Sequence, residues 1–122
     1  MTPQQIYDKV CAHLAKQKHS ATDKEGTCLY RASNGDMCAA GCLIPDNLYF
    51  PGMEFKTIVS LASEFRSKIP DFIVNNIDLV RTLQDCHDHS VDEIGIKNEL
   101  LQTATRYRIF PGAEQAIKSW KR

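Results

Sequence analysis

The chain of 122 residues contains no Cys-x-x-Cys and no His-x-x-x-His pair, the spacings from which most zinc sites are built. It has no glycine-rich turn either: Gly35, Gly41 and Gly52 stand alone, which argues against a phosphate-cradling loop and so against a nucleotide enzyme. Charge of one sign is missing, because fifteen basic and fifteen acidic residues cancel. A neutral chain has neither the positive field that gathers nucleic acid nor the negative field of a DNA mimic. No apolar run approaches the ~20 residues a bilayer demands. The longest tendency, Phe72 to Val80, is interrupted by Asn75, Asn76 and Asp78. After Met1-Thr2-Pro3 there is no basic segment followed by an apolar stretch and a cleavage site, so a cytoplasmic protein is expected. Repeats, linkers and low-complexity tracts are also missing, which predicts a single globular domain over residues 1–122.

What is present suits one hydrophobic core. The composition, 43% hydrophobic and 25% charged, is that of an ordinary folded domain, and the length allows one core. Five cysteines (Cys11, Cys28, Cys38, Cys42 and Cys86) form an odd set without a repeating spacing. Without an export signal they are expected as thiols that pack as small hydrophobes.

The periodicity predicts a mostly α (α+β) fold of four to five packed helices with a short β-hairpin insertion after the first. Thr2, Pro3 and Gln5 form a capping box before an apolar stripe of Ile6, Tyr7, Val10, Cys11 and Leu14, ending near Gln17. Asn34-Gly35 favours the positive φ of a tight turn, hence a hairpin between residues 27–31 and 37–44. The return arm, Met37 to Leu43, fits a strand or one buried helical turn equally. A second helix is expected from Glu54 to the proline at 70, burying Phe55, Ile58, Val59, Ala62 and Phe65. A third runs from an Asp71 cap to about His87 or His89. Ser90-x-x-Glu93 then starts a fourth carrying Ile94, Leu100, Leu101, Ala104 and Tyr107. After Pro111-Gly112 a last short piece puts Ala113, Ile117 and Trp120 on one face.

Chemistry, if any, would sit at Asp85-Cys86-His87-Asp88-His89, where thiol, imidazole and carboxylate crowd together. A metal site on Cys86, His87 and His89 is the alternative to no metal at all. Cys28, Cys38 or Cys42 could complete one only by folding close to the end of the third helix. The competing expectation is structural: a helix end meeting the next cap, with Cys86 half buried. Nucleic-acid binding is not expected; it would rest on Arg106, Arg108, Lys118, Trp120, Lys121 and Arg122, a basic tail with one stacking residue. No cofactor and no catalytic residue are assigned, and the composition leaves the oligomeric state open.

Cys28-Leu29-Tyr30-Arg31, Gly35, the run Cys38-Ala39-Ala40-Gly41-Cys42-Leu43-Ile44-Pro45-Asp46, Tyr49 and Leu83 to Asp88 resemble a motif of small accessory proteins of tailed bacteriophages and prophages. The resemblance spans about Ile6 to Asp88 and implies a setting rather than a chemistry. Such proteins often act by binding a host protein, bacterial-defence factors such as CRISPR effector complexes included. The expected function is therefore a non-enzymatic binder or inhibitor, with Arg31, Asp46, Tyr49 and Phe50 as its contact residues, since aromatic and arginine side chains dominate interface energetics. A metal- or thiol-dependent enzyme at residues 86–89 is the rival expectation.

Overall fold

A computed structural model describes all 122 residues and contains five α-helices. The first, α1 (Pro3–Gln17), starts as expected: Thr2 Oγ1 accepts the Gln5 N–H at 3.2 Å and Gln5 Oε1 accepts the Thr2 N–H at 2.8 Å. Its stripe of Ile6, Tyr7, Val10, Cys11 and Leu14 is fully buried. Large side chains in such a stripe each contribute roughly 1.5–3 kcal/mol. The helix stops where Lys18 turns left-handed.

The helical second half consists of α2 (Ile58–Glu64), α3 (Asp71–Asn75), α4 (Ile77–His89) and α5 (Glu93–Arg106). α4 buries Leu79, Val80, Leu83, Cys86 and His87 against α5, α1 and α2. α5 answers with Ile96, Leu100, Thr103 and Ala104. Between residues 113 and 116 a 3-10 turn lies on α1 and α5. The segment between α1 and α2 adds Tyr30, Cys38, Ala39, Ala40, Leu43, Ile44 and Met53 to the same core. No helix is long and apolar enough to cross a membrane.

Several boundaries differ from the expectations, each for a local reason. The second helix begins at Ile58 because Thr57 Oγ1 caps it through the Ser60 N–H. Phe55 is left outside the helix, and both it and Val59 are exposed rather than buried. The third helix is two pieces, broken at Asn76, whose amide turns back to the Phe72 carbonyl at 2.8 Å. The cap of α5 is Asp92, through the Gly95 N–H, and Ile94 and Leu101 point outward. Cys86 is buried rather than half buried.

The hairpin does not form. Arg31 and Met37 make one antiparallel bridge around the Asn34-Gly35 turn, Gly35 at φ 95°, and Thr22 and Cys28 make another. Neither grows into a strand. The outer arm finds a side chain instead of a ladder, because the Glu54 carboxylate accepts the N–H of Tyr30 at 2.8 Å and of Arg31 at 3.1 Å. The return arm is the helical alternative, a 3-10 turn at Gly41–Leu43. Gly41 is pressed so closely on Tyr30 that a Cβ there would lie 2.1 Å from the Tyr30 carbonyl oxygen.

Candidate functional site

His87, near the end of α4, is fully buried and held at both ring nitrogens. The Ala21 N–H donates to Nε2 at 3.0 Å. A main-chain amide can only donate, so Nε2 is bare and the proton sits on Nδ1, which donates to Asp88 Oδ1 at 2.7 Å. The Trp120 ring stands edge-on to the imidazole at 5.8 Å, with its N–H on the Ser90 carbonyl at 3.0 Å. Gln84 adds a second donor to Asp88 at 2.8 Å. Burial pushes the Asp88 carboxyl up, but its partners, the His87 hydrogen bond foremost, outweigh burial and hold it below the usual carboxylate range. Asp88 is thus an anion at neutral pH, and neither a lysine nor an arginine pairs with its carboxylate.

Cys28 does fold close to the end of this helix. Its sulfur, a His87 nitrogen and an Asp88 oxygen lie within 4.8 Å of one another. The trio fits a metal poorly. An ion on Nδ1 would displace the proton that binds Asp88, and one on Nε2 would displace the Ala21 N–H. The third ligand would have to be a thiolate, yet burial, then the neighbouring Asp88, pushes the Cys28 thiol up to about 12. The other thiols follow. Burial raises Cys11 and Cys42 to about 12 and Cys86 to about 11, and moves Cys38 well above the thiol range. An attacking cysteine needs the opposite shift.

Cys86, His87 and His89 are not brought together. Cys86 Sγ faces Thr103 Oγ1 on α5 at 3.5 Å, while His89 is exposed and its Nδ1 lies 3.1 Å from the Asp85 carbonyl. Asp88 and Cys28 instead open onto a cleft of about 340 Å³, walled also by Tyr30, Phe55, Lys56, Arg81, Gln84 and Asp85.

Glu54, which precedes the lining residue Phe55, anchors the chain beside this cleft. Beyond the two main-chain N–H groups, its carboxylate accepts the Tyr49 hydroxyl at 2.6 Å. On the far side the Lys56 carbonyl accepts the Tyr30 hydroxyl at 2.6 Å. Phe55, clamped between these two anchored neighbours, has φ 64° and is 75% exposed. A bulky residue in the left-handed region costs roughly 1–2 kcal/mol, because Cβ crowds the following carbonyl. Surrounding bonds that over-determine the backbone sustain such strain, which clusters at ligand clamps.

Of the expected contact residues, Arg31, Asp46 and Tyr49 come together on one another, while Phe50 packs elsewhere. Arg31 donates to Asp46 at 2.7 Å and to the Ile44 carbonyl at 2.7 Å, and its guanidinium lies 4.8 Å from the centre of the Tyr49 ring. Phe50 stands edge-on to Phe65 at 5.1 Å. Asp46 is the most open of the four, its side chain 95% exposed. In the basic tail, Trp120 is in the core, the Lys121 N–H reaches the Lys18 carbonyl, and Arg122 Nε donates to the Asp88 carbonyl. Its one aromatic residue is not available for stacking on a base.

Comparison of the chain with protein families, with curated proteins and with solved structures finds no match.

Proposed function

We propose that this chain is a non-enzymatic binding protein that docks on a bacterial host or defence protein through the rim of the Phe55 cleft. The observation that carries it is Phe55, a large apolar side chain held outward on strained backbone between two anchored neighbours. A side chain fixed before docking loses little conformational entropy on binding, and rigid aromatic anchors supply much of an interface's energy. The thiols support binding over catalysis, since every one is held protonated at neutral pH. The phage-type motif supplies the setting, in which the partner is a factor of the bacterial cell and CRISPR effector complexes are one class of candidate.

The test is affinity capture from bacterial lysates that contain defence systems, with the wild-type chain and Phe55→Ala side by side. A complex enriched by the wild type and lost with Phe55→Ala supports the proposal. Equal capture by both, or none by either, overturns it.

A further inference from the structure

We infer that the cleft beside Phe55 receives an arginine side chain of the partner, its guanidinium seated against Asp85 and Asp88 and flanked by the Phe55 ring. This rests on the binding function proposed above and names the chemistry of its partner. The cleft, about 340 Å³ and open at one side, is roomy enough for a guanidinium and its stem.

Charge selects the occupant. Four charged side chains line the cleft, two of each sign, but they are not equally free. Lys56 Nζ lies 3.4 Å from Glu64 and Arg81 Nη2 lies 3.7 Å from Asp78, so both cations face acids outside the cleft lining. Asp85 and Asp88, one turn apart on α4, have no such counterpart. Arg122, a neighbouring cation, bonds the Asp88 carbonyl through Nε. Asp88 has Oδ1 on His87 and Gln84, while its side chain keeps a quarter of its surface open. The cleft thus offers, beside an aromatic ring, two carboxylates without a lysine or arginine partner, Asp88 being held by His87, Gln84 and Cys28. A planar, delocalised cation satisfies both at once, donating a fork of N–H groups to carboxylate oxygens and lying over the ring face.

The test is a ¹H–¹⁵N NMR titration of the full chain with acetyl-Gly-Arg-Gly-amide, and with the same peptide carrying citrulline, which keeps the shape and loses the charge. Saturable shifts at residues 54–58 and 84–88 with the arginine peptide, and none with citrulline, are expected. Asp85→Asn, at an exposed position, should weaken the arginine peptide by about threefold to fivefold. Asp88→Asn, which keeps the acceptor for His87, should weaken it by about tenfold. Equal shifts with citrulline, no shifts at these residues, or unchanged binding by both variants overturns the inference. A positive titration with no partner in the capture experiment would sink the binding function and leave the arginine cleft standing. Phe55-dependent capture with a silent titration would do the reverse.

Discussion

The Ala21 N–H and His87 Nε2, 3.0 Å apart, tie the loop after α1 to the end of α4 through a bond that fixes which imidazole nitrogen is bare. His87→Ala leaves that amide buried and unpaired and opens a void beside Trp120. The expected loss is about 3 kcal/mol. His87→Gln, whose amide oxygen can accept from Ala21, should lose markedly less. Urea denaturation of the two variants checks the order, and equal losses would contradict the bond's role.

The thiols give a second expectation. At pH 8 the native protein should react slowly with a thiol reagent and release all five cysteines on unfolding in guanidinium. Alkali should also destabilise it. A thiol whose folded pKa is raised stabilises fully below its unfolded value of about 8.5 and loses that contribution as pH climbs toward the folded value. Cys86 at about 11, and Cys11, Cys28 and Cys42 at about 12, place the loss between pH 8.5 and 12. Thermal unfolding followed across that range measures it.

Acid acts from the other side. Glu114 is buried, and burial pushes its carboxyl up, but hydrogen bonds led by the Gly112 N–H and the Tyr7 hydroxyl hold it below the usual range, as Asp88 is held. Burial also lowers His13. In all three the unfolded chain takes the proton first, so stability falls as pH drops. The decline should begin below about pH 6.5 with His13 and steepen below about 4.5 with the carboxylates. Glu114→Gln should flatten the lower part of a melting-temperature profile between pH 7.5 and 3.

Phe55→Gly separates stability from binding. Glycine adopts φ 64° without strain, which offsets the entropy it adds to the unfolded chain. The variant should be as stable as the wild type, or more stable by up to ~1 kcal/mol, and should bind no partner. A loss of more than ~1 kcal/mol in denaturant titration would show that Phe55 serves the fold instead.

Gly41→Ala asks whether the central segment belongs to the core. A methyl group 2.1 Å from the Tyr30 carbonyl oxygen forces Tyr30 and the 3-10 turn apart. The expected cost is about 3 kcal/mol by calorimetry or denaturant melting.

Where the signal was local, the sequence was legible. Thr2, Pro3 and Gln5 act on one another within one turn and mark the start of α1, and the stripe from Ile6 to Leu14 names its buried face. The regions around Leu83 and Leu100 follow the same periodicity. Legibility ended where a distant side chain decided the outcome. Nothing within residues 27–44 says that Glu54 will take the N–H groups of Tyr30 and Arg31 and replace a hairpin ladder. Cys28 is far from His87 along the chain, so the cluster at the helix end could be seen only in part. Phe55, Val59, Ile94 and Leu101 read as core because apolar type signals burial, whereas the caps at Thr57 and Asp92 set registers that turn Val59, Ile94 and Leu101 outward, and Phe55 is left outside the helix on left-handed backbone.

Of the 67 main-chain hydrogen bonds, 35 lie within helices and 32 hold turns, caps and loops. Amide exchange in the stretch between α1 and α2 is therefore expected to be gated by bonds to Gln17, Gln84 and His87, which lie on the helices outside it, as well as by the internal bonds to Glu54. Such a stretch has no hinge of its own. It is expected to open with the helices as one cooperative unit, so that the docking surface proposed around Phe55 would act as a rigid face rather than as a loop that closes over its partner.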